Sequence, residues 1–210
     1  MKVILVCIVF LLNATLAVAD LGKHLFILSG QSNMAALDPS ISFIPAISRE
    51  FGSDNFIVIK DAHGGQSIRR WYEYGDLYQT LMNKMDYVLE YENIETVSLI
   101  WMQGEQDTEY PDDYINYSNH LNALLNQLRA DIGGFKLHYV IGRLSPYKNG
   151  EPGWDKVRSV QVEVAESNML GVWVDTDDID RKRIHYTELG YRQLGHRFAM
   201  RAIQLIKNNK

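Results

Sequence analysis

The sequence predicts an α/β fold in which a parallel sheet is covered by helices on both faces. Three observations predict it. Short apolar, β-branched runs alternate with longer amphipathic stretches along the chain, the order in which parallel strands and their crossover helices occur. The first two runs each end at a glycine turn, 25–29 at Gly30 and 56–59 shortly before Gly64 and Gly65, as strands do when they feed a loop. The chain of 210 residues, 46% of them hydrophobic, can bury one sizeable core, and it carries no internal repeat, low-complexity tract or linker that would divide it.

Taken in order, 25–29 is a buried strand that breaks at once into Gln31-Ser32-Asn33. A stretch with Pro39 and Pro45 reads as a loop, and 56–59 as the second strand. Residues 76–92 place Leu77, Leu81, Met85 and Val88 on one helical stripe. The third strand, 97–102, runs into Gln103-Gly104-Glu105. Pro111 then opens a helix with Tyr117, Leu121, Leu124, Leu125 and Leu128 on one face, which Gly133-Gly134 stops. After a fourth strand at 137–141, the segment 143–153 holds Pro146, Asn149-Gly150 and Pro152-Gly153 and reads as a loop able to rim a site. A helix at 154–166, a strand at 171–174 and a loop at 175–186 precede the last helix, whose buried stripe is Gly190, Leu194, Phe198, Ala202 and Leu205.

The first residues stand apart from this pattern. Lys2, the apolar run 3–12 and Ala17-Val18-Ala19 form the charged, apolar and small-residue succession of a secretory signal cleaved after Ala19. The rival, a membrane anchor, is short at 3–19 and interrupted by Asn13 and Thr15. The expected organisation is thus a signal at 1–19 and one domain at 20–210, secreted or periplasmic. Cleavage removes Cys7, the only cysteine, so no disulfide, thiol nucleophile or cysteine metal site is expected. With 21 basic and 26 acidic residues the chain is mildly acidic, and it has no basic block. That composition lacks the electrostatic footprint for nucleic acid or an anionic membrane.

Right-handed crossovers put every strand's carboxyl end on one edge, so Ser32, Gly64-Gly65, Gln103-Gly104-Glu105 and the loop 175–185 should meet there. Acyl transfer by serine needs a nucleophile, a base, a group orienting the base, and donors for the oxyanion. Ser32 is the candidate nucleophile and His185 the candidate base. The candidate oxyanion donors are the backbone N–H of Ser32, that of Gly65, and the side-chain amide of Gln103.

The motifs Gly30-Gln31-Ser32-Asn33, Gly64-Gly65, Gln103-Gly104-Glu105-Gln106-Asp107, Val174-Asp175-Thr176-Asp177-Asp178 and His185-Tyr186, in this order, closely resemble those of the SGNH hydrolases. Within that superfamily the chain looks like the sialate O-acetylesterase-like branch, which includes carbohydrate esterase family 6 and acetylxylan esterases. The resemblance implies a three-layer α/β/α sandwich on a five-stranded, flavodoxin-like parallel sheet. It also implies removal of O-acetyl groups from sugars without a cofactor, with an acetylated carbohydrate as substrate. A glutamine in this branch takes the oxyanion place that asparagine has in other SGNH enzymes, and Gln103 matches it. One position departs from the pattern: where the family has an aspartate three residues before the histidine, this chain has Lys182. Asp180 and Glu105 are the substitutes for orienting His185, with Glu105 preferred because it leaves the loop intact; a dyad without a third member also remains open.

Other residues support plainer roles. His63 is read as a loop histidine, and His24, His120, His138 and His196 show no paired ligand spacing, so no metal site is expected. Asp175, Asp177 and Asp178 fit a solvated or capping role at a strand end better than a cation site. Of the aromatics Trp71, Tyr72, Tyr74 and Tyr78, Trp71 is the candidate for a flat wall against a sugar. Against the esterase stand two alternatives: a glycan-binding protein of weak or no turnover, motivated by Lys182, and an esterase directed at lipids or small esters. The polar segment 147–151 argues against the lipid version.

Overall fold

The computed structural model describes residues 22–72 and 75–209; the signal segment, Cys7 and Tyr74 lie outside them. Five strands form one parallel sheet: β1 (Lys23–Gly30), β2 (Phe56–Ala62), β3 (Ile94–Met102), β4 (Leu137–Gly142) and β5 (Gly171–Val174). Their order is β2-β1-β3-β4-β5, the flavodoxin-like order, in which the direction of winding reverses between β1 and β3.

Side chains on successive strand residues leave the sheet on opposite faces, and the two halves of the core follow that alternation. Leu25, Ile27, Leu99, Trp101, Tyr139 and Ile141 pack under one helical layer. It consists of α3 (Asp76–Tyr91), α4 (Pro111–Asp131) and α5 (Pro152–Glu166). Phe26, Leu28, Ile100, Met102 and Val140 face the other layer. There the cover is α1 (Ser32–Ala36), α2 (Phe43–Phe51) and α6 (Glu188–Asn208). Every residue of the stripes expected on α4 and α6 is buried.

Two segments differ from the sequence reading. The stretch expected as a loop around Pro45 contains α2. Pro45 is the third residue of that helix, where the backbone N–H has no intrahelical partner to lose. The loop 175–186 contains a small hairpin, β6 (Arg181–Lys182) against β7 (His185–Tyr186), joined by two residues. Arg183, in its turn, holds φ at 59°, the left-handed region a non-glycine residue seldom occupies.

At the carboxyl edge β2, β1 and β3 are stitched together. Gln31 donates its N–H to the Met102 carbonyl (2.9 Å), and His63 donates to that of Gly30 (2.9 Å). Gly30 has φ of 137°, and a Cβ there would collide with the Met102 carbonyl. Glycine is therefore what lets β1 and β3 diverge so close together. Ser32 is two residues beyond this point, at the winding reversal where open α/β sheets place their ligands.

Candidate active site

Ser32 Oγ lies 3.0 Å from His185 Nε2, although the residues are 153 positions apart in the chain. Ser32 is the first residue of α1 and half-buried, while His185 is exposed on β7. The separation is that of a hydroxyl donating to an imidazole nitrogen, which asks for the tautomer carrying its proton on Nδ1. The two residues named as nucleophile and base are thus brought together by β1 and the hairpin.

The glycine loop closes the other side. An added Cβ on Gly64 would sit 3.7 Å from Ser32 Cβ, so the loop passes directly against the nucleophile. Gly65 turns away with φ of 68° in open space, so conformation rather than room calls for glycine there. Among the described residues, the backbone N–H groups of Ser32 and Gly65 donate to no protein acceptor.

Gln103 is placed otherwise than expected. It has no exposed surface, and its amide nitrogen is spent on Asp107, on the Gln66 carbonyl (3.0 Å) and on Gln31 Oε1 (3.3 Å). Its side-chain oxygen accepts from Tyr117 Oη (3.0 Å). The side chain therefore braces the loop after Gly65 from within and is not a free donor at its surface.

Asp107 is the buried anchor of that loop. Its carboxylate accepts from Ser67 Oγ (2.6 Å) and the Ile68 N–H (3.1 Å) besides Gln103. Burial raises its carboxyl above the ordinary aspartate range, and these donors counter the rise. Gln31 completes the arrangement, since its Oε1 also accepts from the N–H groups of Gly104 (3.3 Å) and Gln106 (3.2 Å). Gln161 on α5 donates to the Gln103 carbonyl (2.8 Å) and accepts from the Leu144 N–H (2.8 Å). The sequence reading assigned Gln31, Asp107 and Gln161 no role. For Gln161 a signal exists, a polar residue one turn after Val157 on a helix face that buries Val160 and Val164.

Neither substitute acid touches the base. Glu105, buried, accepts from Asn33 Nδ2 through Oε1 (2.7 Å), and its Oε2 has no partner among the described residues. Burial pushes its carboxyl up to about 7, with the charge of Asp107 adding to the rise and the Asn33 amide opposing it. Asp180 accepts from Thr187 Oγ1 at the N-terminus of α6. Among the described residues no carboxylate pairs with the His185 ring, whose hydrogen-bond partner is Ser32. Lys182 is the register partner of His185 across the hairpin.

Asn33 is the side chain that Glu105 does hold. Its Nδ2 also donates to the Ile184 carbonyl (3.1 Å), and its Oδ1 accepts from Tyr191 Oη (3.1 Å). Both were missed because Asn33 and Tyr191 lie 158 positions apart, and no local pattern links them.

Trp71 requires a correction. It has no exposed surface and meets Trp101 edge-on at 5.4 Å, so it is a core residue under β3 and cannot wall a sugar. His63 bends back to Asp61 (3.3 Å), in keeping with a loop histidine. Asp175, Asp177 and Asp178 pair with Arg143, Arg158 and Arg197. Among the described residues no cluster of side chains could hold a metal ion, and no helix is long and apolar enough to cross a membrane. Tyr147, in the segment expected to rim the site, accepts from Arg183 Nε (3.3 Å) and so touches the histidine hairpin.

Comparison with known proteins bears on this geometry. The family model described as carbohydrate esterase, sialic acid-specific acetylesterase, matches residues 35–204. A probable carbohydrate esterase of Arabidopsis thaliana is 24% identical over 164 residues, covering 77% of this chain and 62% of the relative. The aligned chain thus spans less than two thirds of that curated relative's length. The crystal structure of the Arabidopsis protein is similar with a TM-score of 0.74 at 21% identity, covering 89% of this chain and 99% of that one. A carbohydrate acetylesterase from Xanthomonas citri follows at 0.65 and 18%, covering 89% of this chain and 57% of that one. A member of the lipolytic G-D-S-L family from Veillonella parvula reaches 0.56 at 14%, covering 88% and 99%. At these identities the solved structures establish the fold, which is that of the SGNH hydrolases.

Proposed function

The chain belongs to the carbohydrate esterase, sialic acid-specific acetylesterase family, and from that premise we propose that it is a serine esterase removing O-acetyl groups from carbohydrate. The observation that carries the mechanism is the 3.0 Å approach of Ser32 Oγ to His185 Nε2 at the sheet's switch point. His185 takes the hydroxyl proton as Ser32 Oγ attacks the acetyl carbonyl. The N–H groups of Ser32 and Gly65 receive the charge that develops on the carbonyl oxygen. Collapse breaks the ester bond, and His185 returns the proton to the departing sugar oxygen. Water, deprotonated by His185, then attacks acetyl-Ser32 and releases acetate, restoring the hydroxyl. No step calls on a cofactor. The chain is exported by its first 19 residues and works outside the cytoplasm on its acetylated sugar.

Hydrolysis of 4-nitrophenyl acetate by the wild-type protein and by Ser32→Ala tests the reading, together with labelling by a serine-directed organophosphonate. Activity lost in a folded Ser32→Ala variant, with label on Ser32, is the expected result; activity that survives the substitution overturns it. One observation favours a second reading, a glycan-binding protein of slow turnover: His185 lacks a carboxylate partner among the described residues. Acetylated-sugar binding without hydrolysis in the same preparation would select it.

A further inference from the structure

A general base must be held near the proton it takes, within about 0.5 Å of its working place. The element carrying His185 is poorly suited to that on its own. The hairpin has two residue pairs and an exposed surface, and its turn keeps Arg183 in the left-handed region. An isolated hairpin is marginal even when longer, and a non-glycine residue in the left-handed region adds strain. Something outside the hairpin must hold it.

The Asn33 side chain is buried, and both of its N–H groups are used. One goes to the Ile184 carbonyl, the oxygen of the peptide that precedes His185. The other goes to Glu105 Oε1 in the interior. Tyr191 Oη donates to Asn33 Oδ1, which prevents the amide from turning over. The Tyr191 ring also meets Tyr186, the residue after His185, edge-on at 5.8 Å. The two side chains therefore grip the base from both sides along the chain, and Asn33 is itself the residue next to the nucleophile.

We propose that Asn33 and Tyr191 are the positioning residues of His185, coupling the backbone beside Ser32 to the backbone beside the base through a single carboxamide. Glu105 is the interior anchor of this clamp and acts on His185 through it. The clamp supplies geometric constraint where, among the described residues, no carboxylate orients the ring, and it rests on the Ser32–His185 reading of the site.

The test uses Asn33→Ala, Tyr191→Phe and the double variant in the intact chain, with kcat and KM for 4-nitrophenyl acetate and the ¹⁵N signals of the His185 ring. Misplacing a catalytic group by about 1 Å can cost roughly 10²-fold, so kcat should fall about a hundredfold in Asn33→Ala and about tenfold in Tyr191→Phe, with KM unchanged within about twofold. The His185 signals should move toward averaged tautomers in both variants. Because Tyr191 acts through Asn33, adding Tyr191→Phe to Asn33→Ala should cost little more than Asn33→Ala alone. Tyr191→Phe keeps the ring packing, so it decides the matter even if Asn33→Ala does not fold. Wild-type kcat and unmoved His185 signals in a folded Tyr191→Phe would overturn the clamp, as would fully additive losses in the double variant. Activity surviving Ser32→Ala would instead overturn the catalytic reading beneath it.

Discussion

The candidate nucleophile, Ser32, and the candidate base, His185, stand on very different ground. Ser32 follows β1, an interior strand of the sheet, and the groups behind it, Gln31, Gln103 and Asp107, are buried and joined through Gln103. His185 is exposed on a short hairpin that buries Tyr186 and is otherwise tied down by polar contacts: Asn33 to the Ile184 carbonyl, Thr187 to Asp180, and Arg183 to Tyr147. One half of the pair is thus positioned by the core and the other largely by tethers. Damage to the first half should therefore appear mainly in stability, and damage to the second mainly in rate.

The largest effect that would test this contrast is expected for Asp107→Ala. It leaves the Ser67 hydroxyl and the Ile68 N–H without their acceptor and takes from the Gln103 amide one of its three. Each orphaned buried donor costs on the order of 1–3 kcal/mol, so urea unfolding should show a loss of about 3 kcal/mol or more. Unchanged stability would break the idea that the core holds the nucleophile's side.

Next comes the pH dependence carried by Glu105. Its folded carboxyl is raised by burial from 4.5 to about 7. In that window the folded protein binds more protons than the unfolded chain, so stability falls as pH rises. The contribution is fully present below about 4.5 and lost once pH passes about 7. Relative to Glu105→Gln, the wild-type protein should lose roughly 3 kcal/mol across this range, by the conversion of about 1.4 kcal/mol per pH unit. Urea midpoints at stepped pH measure it, and a constant difference between the two proteins would show that Glu105 is ionised where it lies.

A smaller effect separates packing from recognition. Trp71→Phe should lower stability by about 1–3 kcal/mol through the lost contact with Trp101, while KM for an acetylated sugar stays within about twofold. A selective rise in KM would return Trp71 to the substrate. The smallest effect expected is a gain. Lys182→Asp puts a carboxylate opposite His185 in the hairpin register. At the 0.2–1 kcal/mol of an opposed cross-strand pair, kcat/KM should rise by about 1.4- to fivefold. A fall would mean that the lysine serves the site as it stands.

What the amino-acid order determined alone were the features governed by neighbours in the chain. The stripe from Tyr117 to Leu128 had to be a buried helix face, because its spacing follows the helical turn. Parallel topology then brought the post-strand loops to one edge, so Ser32 and His185 could be paired before any distance was known. Pro45 was misleading because the cost of proline depends on its place in a helix, and its place was the first turn. Only the tertiary structure decided which way a side chain at that edge turns. Trp71 went inward onto Trp101, Glu105 chose Asn33 over the imidazole, and Gln103 spent its amide on Asp107. Those choices depend on which donors and acceptors from distant segments arrive within hydrogen-bond reach. A buried polar group takes the partner that satisfies it, and that partner can lie, as Tyr191 does from Asn33, 158 residues away.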